Sequence, residues 1–344
     1  MYKDAKPAVR VEGELTDWFD VTTGLRQGCL LSPILFNIYF DYVLKQALEG
    51  VNEGIEITYE MPDGRIVRGT KVQGREKILV LLYADDLVLM CENGETLDMA
   101  MTRIEEYTQQ WGLTVNVKKT KRMVNKETKV GQEVDIMIRG ETVERVNEFV
   151  YLGSLIRDTG KSVEEINRRL HLAQYRFHEL KKPIFDQRNI SIGTKIAIYK
   201  AIVLSTLLYG AETWTCSDND YSRINAVNNK MLRYIIGRKR DEISNLELFK
   251  VTNTVPLENT VRNYRLRWAG HVRRISDHRM PKRVLFGELD GTNKVGCPVK
   301  NWEKCLYEDL ELIGLTRYSW LKASSIRSDW RKSISSLTSL KRKK

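Results

Sequence analysis

The sequence predicts an α+β fold over residues 1–156, an antiparallel sheet with helices, followed by all-helical chain. Three observations predict it. Up to Gly153, short apolar runs alternate with turn signals and with two amphipathic stretches at helical spacing. Beyond Gly160, the apolar residues Val163, Ile166, Leu170, Ala173, Phe177 and Leu180 keep a helical rhythm. Charge divides at nearly the same place. Residues 1–155 carry a net −6 and residues 156–344 a net +17, which gives +11 for the 344-residue chain. Such an asymmetry predicts that the C-terminal half meets a polyanion.

In chain order, Ala8–Glu12 and Leu15–Val21 read as short strands around Gly13. Gly24 and Gly28 bracket a loop holding Arg26 and Gln27. Ser32-Pro33 then marks a helix start, with Ser as N-cap and Pro as first residue. Ile34, Leu35, Ile38, Tyr39, Tyr42, Val43 and Leu44 give that helix its apolar stripe. Such a loop is either a tight connection or a seat for a phosphate or sugar, and the residues alone leave both open. Pro62-Asp63-Gly64 is a turn between two alternating segments, a hairpin. Thr96–Trp111 is an amphipathic helix stopped by Gly112. Residues 134–138 and 142–146 form a hairpin around Gly140, and Phe149–Leu152 is a strand closed by Gly153. Helices follow from Val163 to before Pro183, over about residues 191–211 and over about residues 220–236.

One stretch asks for chemistry. Ile78–Met90 reads ILVLLYADDLVLM, apolar on both sides of adjacent Asp85 and Asp86. Strands of this composition are expected to be buried on both faces. Two carboxylates between them repel each other and lose hydration unless a cation meets them. Asp-Asp is also a poor choice for turn geometry alone.

The first residues are polar and give no secretory signal. The longest other apolar stretch, Ile196–Ala211, is interrupted by Lys200 and is too short to span a bilayer. The five scattered cysteines fit free thiols in a reducing compartment, so a nuclear or cytoplasmic location is expected. His271, His278, Cys297 and Cys305 are spaced too loosely to specify a zinc site. Residues 261–285 hold eight Arg and Lys against one acid, interleaved with aromatics. Arg265, Arg267, Trp268, Arg273 and Arg274 are therefore candidate contacts to phosphates and bases. Lys341–Lys344 is a basic end, a nuclear signal or a solubilising tail.

Taken together, the motifs resemble a reverse transcriptase. Tyr83-Ala-Asp-Asp86 resembles the catalytic hairpin, and Arg26–Phe36 the loop and helix before it. Gly112-Leu-x-x-Asn116 with Lys119-Thr120 resembles the lysine-containing motif, and Tyr151-Leu-Gly153 the primer grip. The wording is most similar to non-LTR, LINE-type retrotransposons. Leu208–Trp214 and Arg267–Val272 look like the region after the polymerase in those elements. The resemblance implies a partial polymerase palm over 1–156, a helical thumb over 157–240 and a basic nucleic-acid-binding region over 241–344. It implies an RNA template, a DNA primer or target, dNTPs and two Mg²⁺ ions. Asp85 is the implied metal ligand and Asp86 a supporting one. Arg26, Gln27, Gly28, Tyr83 and Ala84 are implied at the nucleotide and template, Lys119 near the leaving phosphates, and Tyr151, Leu152 and Gly153 at the primer.

The family's third carboxylate precedes the Arg26–Gly28 loop by tens of residues, and no residue of this chain matches it. The expectation is therefore a truncated copy that binds nucleic acid without polymerising, and that is poorly soluble. The competing expectation is a domesticated nucleic-acid-binding protein with no enzymatic role. Oligomeric state is not specified by the sequence.

Overall fold

The computed structural model describes residues 6–20, 24–25, 28–61, 72–125, 134–289 and 300–338. The chain forms two compact units. The first comprises residues 1–56, 76–122 and 129–145; the second comprises residues 57–75, 123–128 and 146–344.

In the first unit two helices pack together. Helix α1 (Ser32–Ala47) starts one residue earlier than its N-cap motif suggests. Leu31 occupies the cap without a side-chain hydrogen bond, and Ser32 is the first helical residue beside Pro33. Helix α2 (Gly94–Gln110) is capped by Asn93, whose side chain accepts from the Thr96 amide at 2.8 Å. Gly112, at φ +69°, ends it in a left-handed turn that most side chains avoid. Phe40, Leu44 and Ala47 of α1 meet Ile104 of α2 in a small core.

The antiparallel strands Val80–Tyr83 and Asp86–Leu89 lay Leu87 and Leu89 against that core. They form a two-stranded sheet rather than doubly buried strands. Leu81, Leu82 and Tyr83 remain exposed because their hairpin is covered on one side only. A second small core joins Met101 of α2 to Ile136, Ile138 and Val143. The hairpin there, Met137–Ile138 with Glu141–Thr142, is shorter than its sequence suggests and turns through Arg139 and Gly140, both left-handed.

The second unit is mostly helical. It comprises α3 (Val163–Leu180), α4 (Ile192–Ile198), α5 (Ser205–Leu207), α6 (Asp218–Ile236), α7 (Asn245–Thr252) and α8 (Leu257–Arg274). The chain continues as α9 (Met280–Leu285), α10 (Trp302–Leu312), α11 (Ser319–Ala323) and α12 (Arg327–Thr338). Pro183 does not stop the chain's winding after α3 but falls in a π-helical turn, Lys181–Phe185. A second π-turn, Tyr199–Leu204, joins α4 to α5. Ser217 and Ser244 each build a reciprocal capping box, with Asp220 and with Glu247.

One core runs from Ile166 through Trp214, Tyr221 and Leu232 to Leu248, Leu257 and Val261, continuous across residue 240. A second joins Leu266 and Ala269 of α8 to Leu306, Leu310, Trp320, Trp330 and Ile334. Helix α8 thus serves both cores. No described helix is long and apolar enough to cross a membrane.

Helix α8 also corrects one expected nucleic-acid contact. Arg265 is fully buried. Its guanidinium pairs with buried Asp309 of α10 and donates to the Trp214 carbonyl at 2.8 Å and to the Tyr221 hydroxyl at 3.3 Å. An arginine so enclosed ties helices together and cannot touch a polyanion. Arg262 completes the set with a 2.8 Å bond to the same carboxylate.

Candidate functional site

The hairpin of Val80–Tyr83 and Asp86–Leu89 pairs Tyr83 with Asp86 directly, which leaves Ala84 and Asp85 as a two-residue turn. Ala84 sits at φ +53°. A non-glycine residue there carries roughly 1–2 kcal/mol of strain, so the turn is held by its ladder rather than by its composition. The consequence is chemical. Asp85 is raised on the tip and Asp86 opens the returning strand, and both are exposed. The burial expected for them gives way to hydrated carboxylates in adjacent positions. Asn37, Ile38 and Asp41 of α1 face Leu82 and Ala84 across a shallow concavity of about 370 Å³. Asp41 is bonded to Lys45 at 2.7 Å.

Gly28, ahead of α1, takes φ +85°, a value the sequence anticipated by placing glycine there. Arg26 and Gln27, expected at the nucleotide, lie outside the described residues. Lys119 is exposed on a turn built by Asn116. The Asn116 side chain accepts from the Lys119 amide at 3.1 Å, and its carbonyl accepts from the Thr120 amide and hydroxyl at 3.0 and 2.9 Å. The asparagine of that motif is thus the turn-former that presents the lysine.

Tyr151–Gly153 belongs to the second unit. Strands Glu148–Tyr151 and Ser154–Arg157 pair antiparallel around a Leu152-Gly153 turn, at φ +47° and +81°. Both turn carbonyls are held from outside. The Tyr209 hydroxyl donates to Leu152 O at 2.8 Å; Arg168 donates to Gly153 O at 3.2 Å, and Arg169 donates to the same oxygen. Arg169 also lies 4.5 Å from the Tyr209 ring centre. Buried Glu165 accepts from the Leu155 amide at 2.9 Å and pairs with Arg169 at 2.6 Å. The stretch Leu208–Trp214 therefore serves as a clamp. Tyr209 holds the turn, Gly210 passes so close to Ser154 that a Cβ would lie 2.9 Å from its Oγ, and the Glu212 carbonyl receives the Trp302 indole at 2.7 Å. Sequence reading singled out Tyr151–Gly153 and Leu208–Trp214 separately; the structure brings them together.

On α8, Arg267, Trp268 and His271 are exposed, with the Trp268 and His271 rings 5.6 Å apart. Arg273 and Arg274 are half-buried, and Arg274 donates to the Ser324 carbonyl at 2.9 Å. Cys305 is buried, Cys297 lies outside the described residues, and no three or more His, Cys, Asp or Glu converge as a metal site among the described residues.

Comparison with known proteins gives these elements a common context. Residues 1–156 match the reverse transcriptase (RNA-dependent DNA polymerase) family. They are a reverse-transcriptase domain. The relatives place that domain in the non-LTR retrotransposon lineage. A transposon-derived protein of Caenorhabditis elegans is 28% identical over 76% of this chain and 96% of its own length. The R2 element Pol polyprotein of Nasonia vitripennis is 28% identical over 48% of this chain. The jockey RNA-directed DNA polymerase of Drosophila funebris is 22% identical over 68%. The chain spans only 15% and 25% of those last two. By family, then, the reverse-transcriptase domain is that of an RNA-directed DNA polymerase. Its Asp85 and Asp86 fit magnesium in kind, as hard oxygen donors open to water that leave positions for substrate phosphates.

Proposed function

We propose that this chain contributes the Asp-Asp hairpin, lysine turn and primer-seating hairpin of an enzyme that copies element RNA into DNA from a primer 3′ end. The carrying observation is the hairpin itself: two hydrated carboxylates at a strained two-residue turn inside a reverse-transcriptase domain. Asp85 would hold the metal and Asp86 would support it. Bound Mg²⁺ supplies charge neutralisation of the phosphates and a lowered pKa for the attacking hydroxyl. Ala84 leaves room beside Asp85 for the primer end, and Tyr83 flanks it. Gln27 and the Gly28 backbone meet the incoming nucleotide. Lys119 supplies a cation to the leaving phosphates, and Tyr151–Gly153 seats the primer. Asp85 and Asp86 are adjacent and repel each other, and no third carboxylate is matched that would bridge two ions, so we expect these 344 residues to bind primer–template without extending it.

The test is primer extension on an RNA template with Mg²⁺ or Mn²⁺, alongside anisotropy of the labelled primer–template. Binding without incorporation is expected. Incorporation clearly above an Asp85→Ala control would overturn the claim of an incomplete site, and absence of binding would overturn the role of the helical half. A second reading, a nucleic-acid-binding protein with no polymerase role, draws on the alignment with nearly the whole C. elegans transposon-derived protein. Mn²⁺ affinity that rises with primer–template and dNTP, and falls in Asp85→Ala, favours the first reading over the second.

A further inference from the structure

The charge excess of the helical half has a focus outside the polymerase motifs. Helix α12 docks on α8 through Trp330, whose indole donates to the Leu266 carbonyl at 3.0 Å. The approach is close: a Cβ on Gly270 would lie 2.1 Å from the Trp330 Nε1. That docking fixes which arginines become neighbours. On α12, Arg327 and Arg331 are one helical turn apart and exposed. On α8, Arg267, His271 and Arg274 recur at i, i+4 and i+7. Arg274 is anchored to the Ser324 carbonyl. Burial, and then repulsion from Arg327 and Arg331, lowers its pKa from the usual arginine value. Among the described residues, Arg267, Arg274, Arg327 and Arg331 enter no ion pair, although Arg262, Arg265 and Arg317 nearby in sequence each find a carboxylate.

Like charges gathered by folding raise the free energy of the fold unless an anion offsets them. Here packing holds the guanidiniums near each other, and a charged ligand would relieve the repulsion. Beside them Trp268 offers an exposed ring face next to His271. Cations in a row suit a repeating phosphate chain, and the ring suits a stacked base.

We propose that Arg274, Arg327 and Arg331, with Arg267 and Trp268, form a two-helix platform for the phosphate backbone of single-stranded nucleic acid. Arg327 and Arg331 lie some sixty residues beyond the α8 arginines, and only the docking of α12 joins them. The proposal deepens the reading of the helical half as a nucleic-acid tracker and rests on it.

The test measures binding of a fluorescein-labelled 20-nucleotide single strand to the full chain by anisotropy, across a salt series. The Arg327→Gln/Arg331→Gln variant changes exposed residues only. Adding Arg274→Gln completes the set. Removing three phosphate contacts is expected to flatten the slope of log K against log salt by about 2, and the exposed pair alone by about 1.4. Trp268→Ala is expected to weaken binding by about 5- to 150-fold with the slope unchanged. A control, Arg188→Gln/Arg238→Gln/Lys239→Gln, removes equal charge elsewhere in the unit and is expected to bind within about twofold of wild type. Equal losses in control and platform variants would overturn the site while leaving nucleic-acid binding intact. Equal binding to vesicles of phosphatidylserine, indifferent to Trp268→Ala, would overturn the nucleic-acid assignment. The polymerase reading is judged separately by the Asp85-dependent assays.

Discussion

Replacing Arg265 with methionine keeps the aliphatic stem and removes the charge, and it should destabilise the helical unit rather than weaken a ligand. In the native chain the guanidinium and the Asp309 carboxylate are both fully buried. Removing the cation leaves Asp309 with Arg262 alone and strips the Trp214 carbonyl of the Arg265 donor. Breaking a buried pair from one side costs about 3–5 kcal/mol, because the remaining charge stays out of water. For a unit of about 200 residues each kcal/mol lowers Tm by about 2–4 °C, so the loss is about 6–20 °C. The assay is a thermal melt followed by circular dichroism, with Arg267→Ala as the exposed comparison, expected within about 0.5 kcal/mol of wild type. Arg262→Leu/Arg265→Met/Asp309→Leu should recover more than half of the deficit, since replacing all three members of a buried charged set by apolar residues of similar volume is often tolerated, whereas sparing Arg262 would leave its charge unpaired. An Arg265→Met protein that melts within about 4 °C of wild type and loses nucleic-acid affinity would refute the argument and return Arg265 to the binding surface.

Ala84→Gly should relieve the left-handed strain and stabilise the first unit by up to about 1 kcal/mol, read as an upward shift in its denaturant midpoint. Gly270→Ala should destabilise the second unit by at least about 2 kcal/mol, because the new methyl meets the Trp330 indole; Trp330→Leu in the same chain should recover part of the loss. Burial pushes the Cys216 thiol up to about 12. The folded state then keeps a proton that the unfolded state releases near pH 8.5, so this contribution to stability is full below pH 8.5 and is lost as pH rises toward 12. The expected fall is about 1.4 kcal/mol per pH unit above 8.5, absent in Cys216→Ala. In the same range iodoacetamide should modify half-buried Cys29 well before buried Cys216 and Cys305, a difference that unfolding abolishes.

The parts of the fold that were legible in the sequence are those set by local rules. The Gly112 stop, the left-handed Gly28 and the amphipathic α2 and α3 follow from backbone freedom and periodicity, and they stand where the residues put them. Hairpin exposure was not legible. Leu81, Leu82 and Tyr83 have the composition of a buried strand, and only the packing of α1 and α2 against one face decides which of the neighbours are covered. Arg265 was misread for a different reason. Its charge outweighed its position, although it continues the stripe of Val261, Ala269 and Val272 at helical spacing. Asp309 likewise falls between Leu306 and Leu310 on the buried side of α10. Opposite charges on the apolar stripes of two helices are the signal of a buried pair. The clamp on Tyr151–Gly153 joins residues up to 57 positions apart, which no local pattern encodes.

That clamp has a consequence for the order in which the chain becomes protected from solvent. The Leu155 amide is covered by Glu165, and the Thr215 amide by Ser162 at 3.1 Å. The Leu152 and Gly153 carbonyls are covered by groups on α3 and at residue 209. None of these partners is supplied by the 148–157 hairpin itself. Its ladder protects other amides from within, but the Leu155 amide can slow its exchange only when α3 has assembled, so the hairpin tip and helical core should open as one cooperative block. A short ribbon in sequence is thus, in exchange behaviour, part of a helical body.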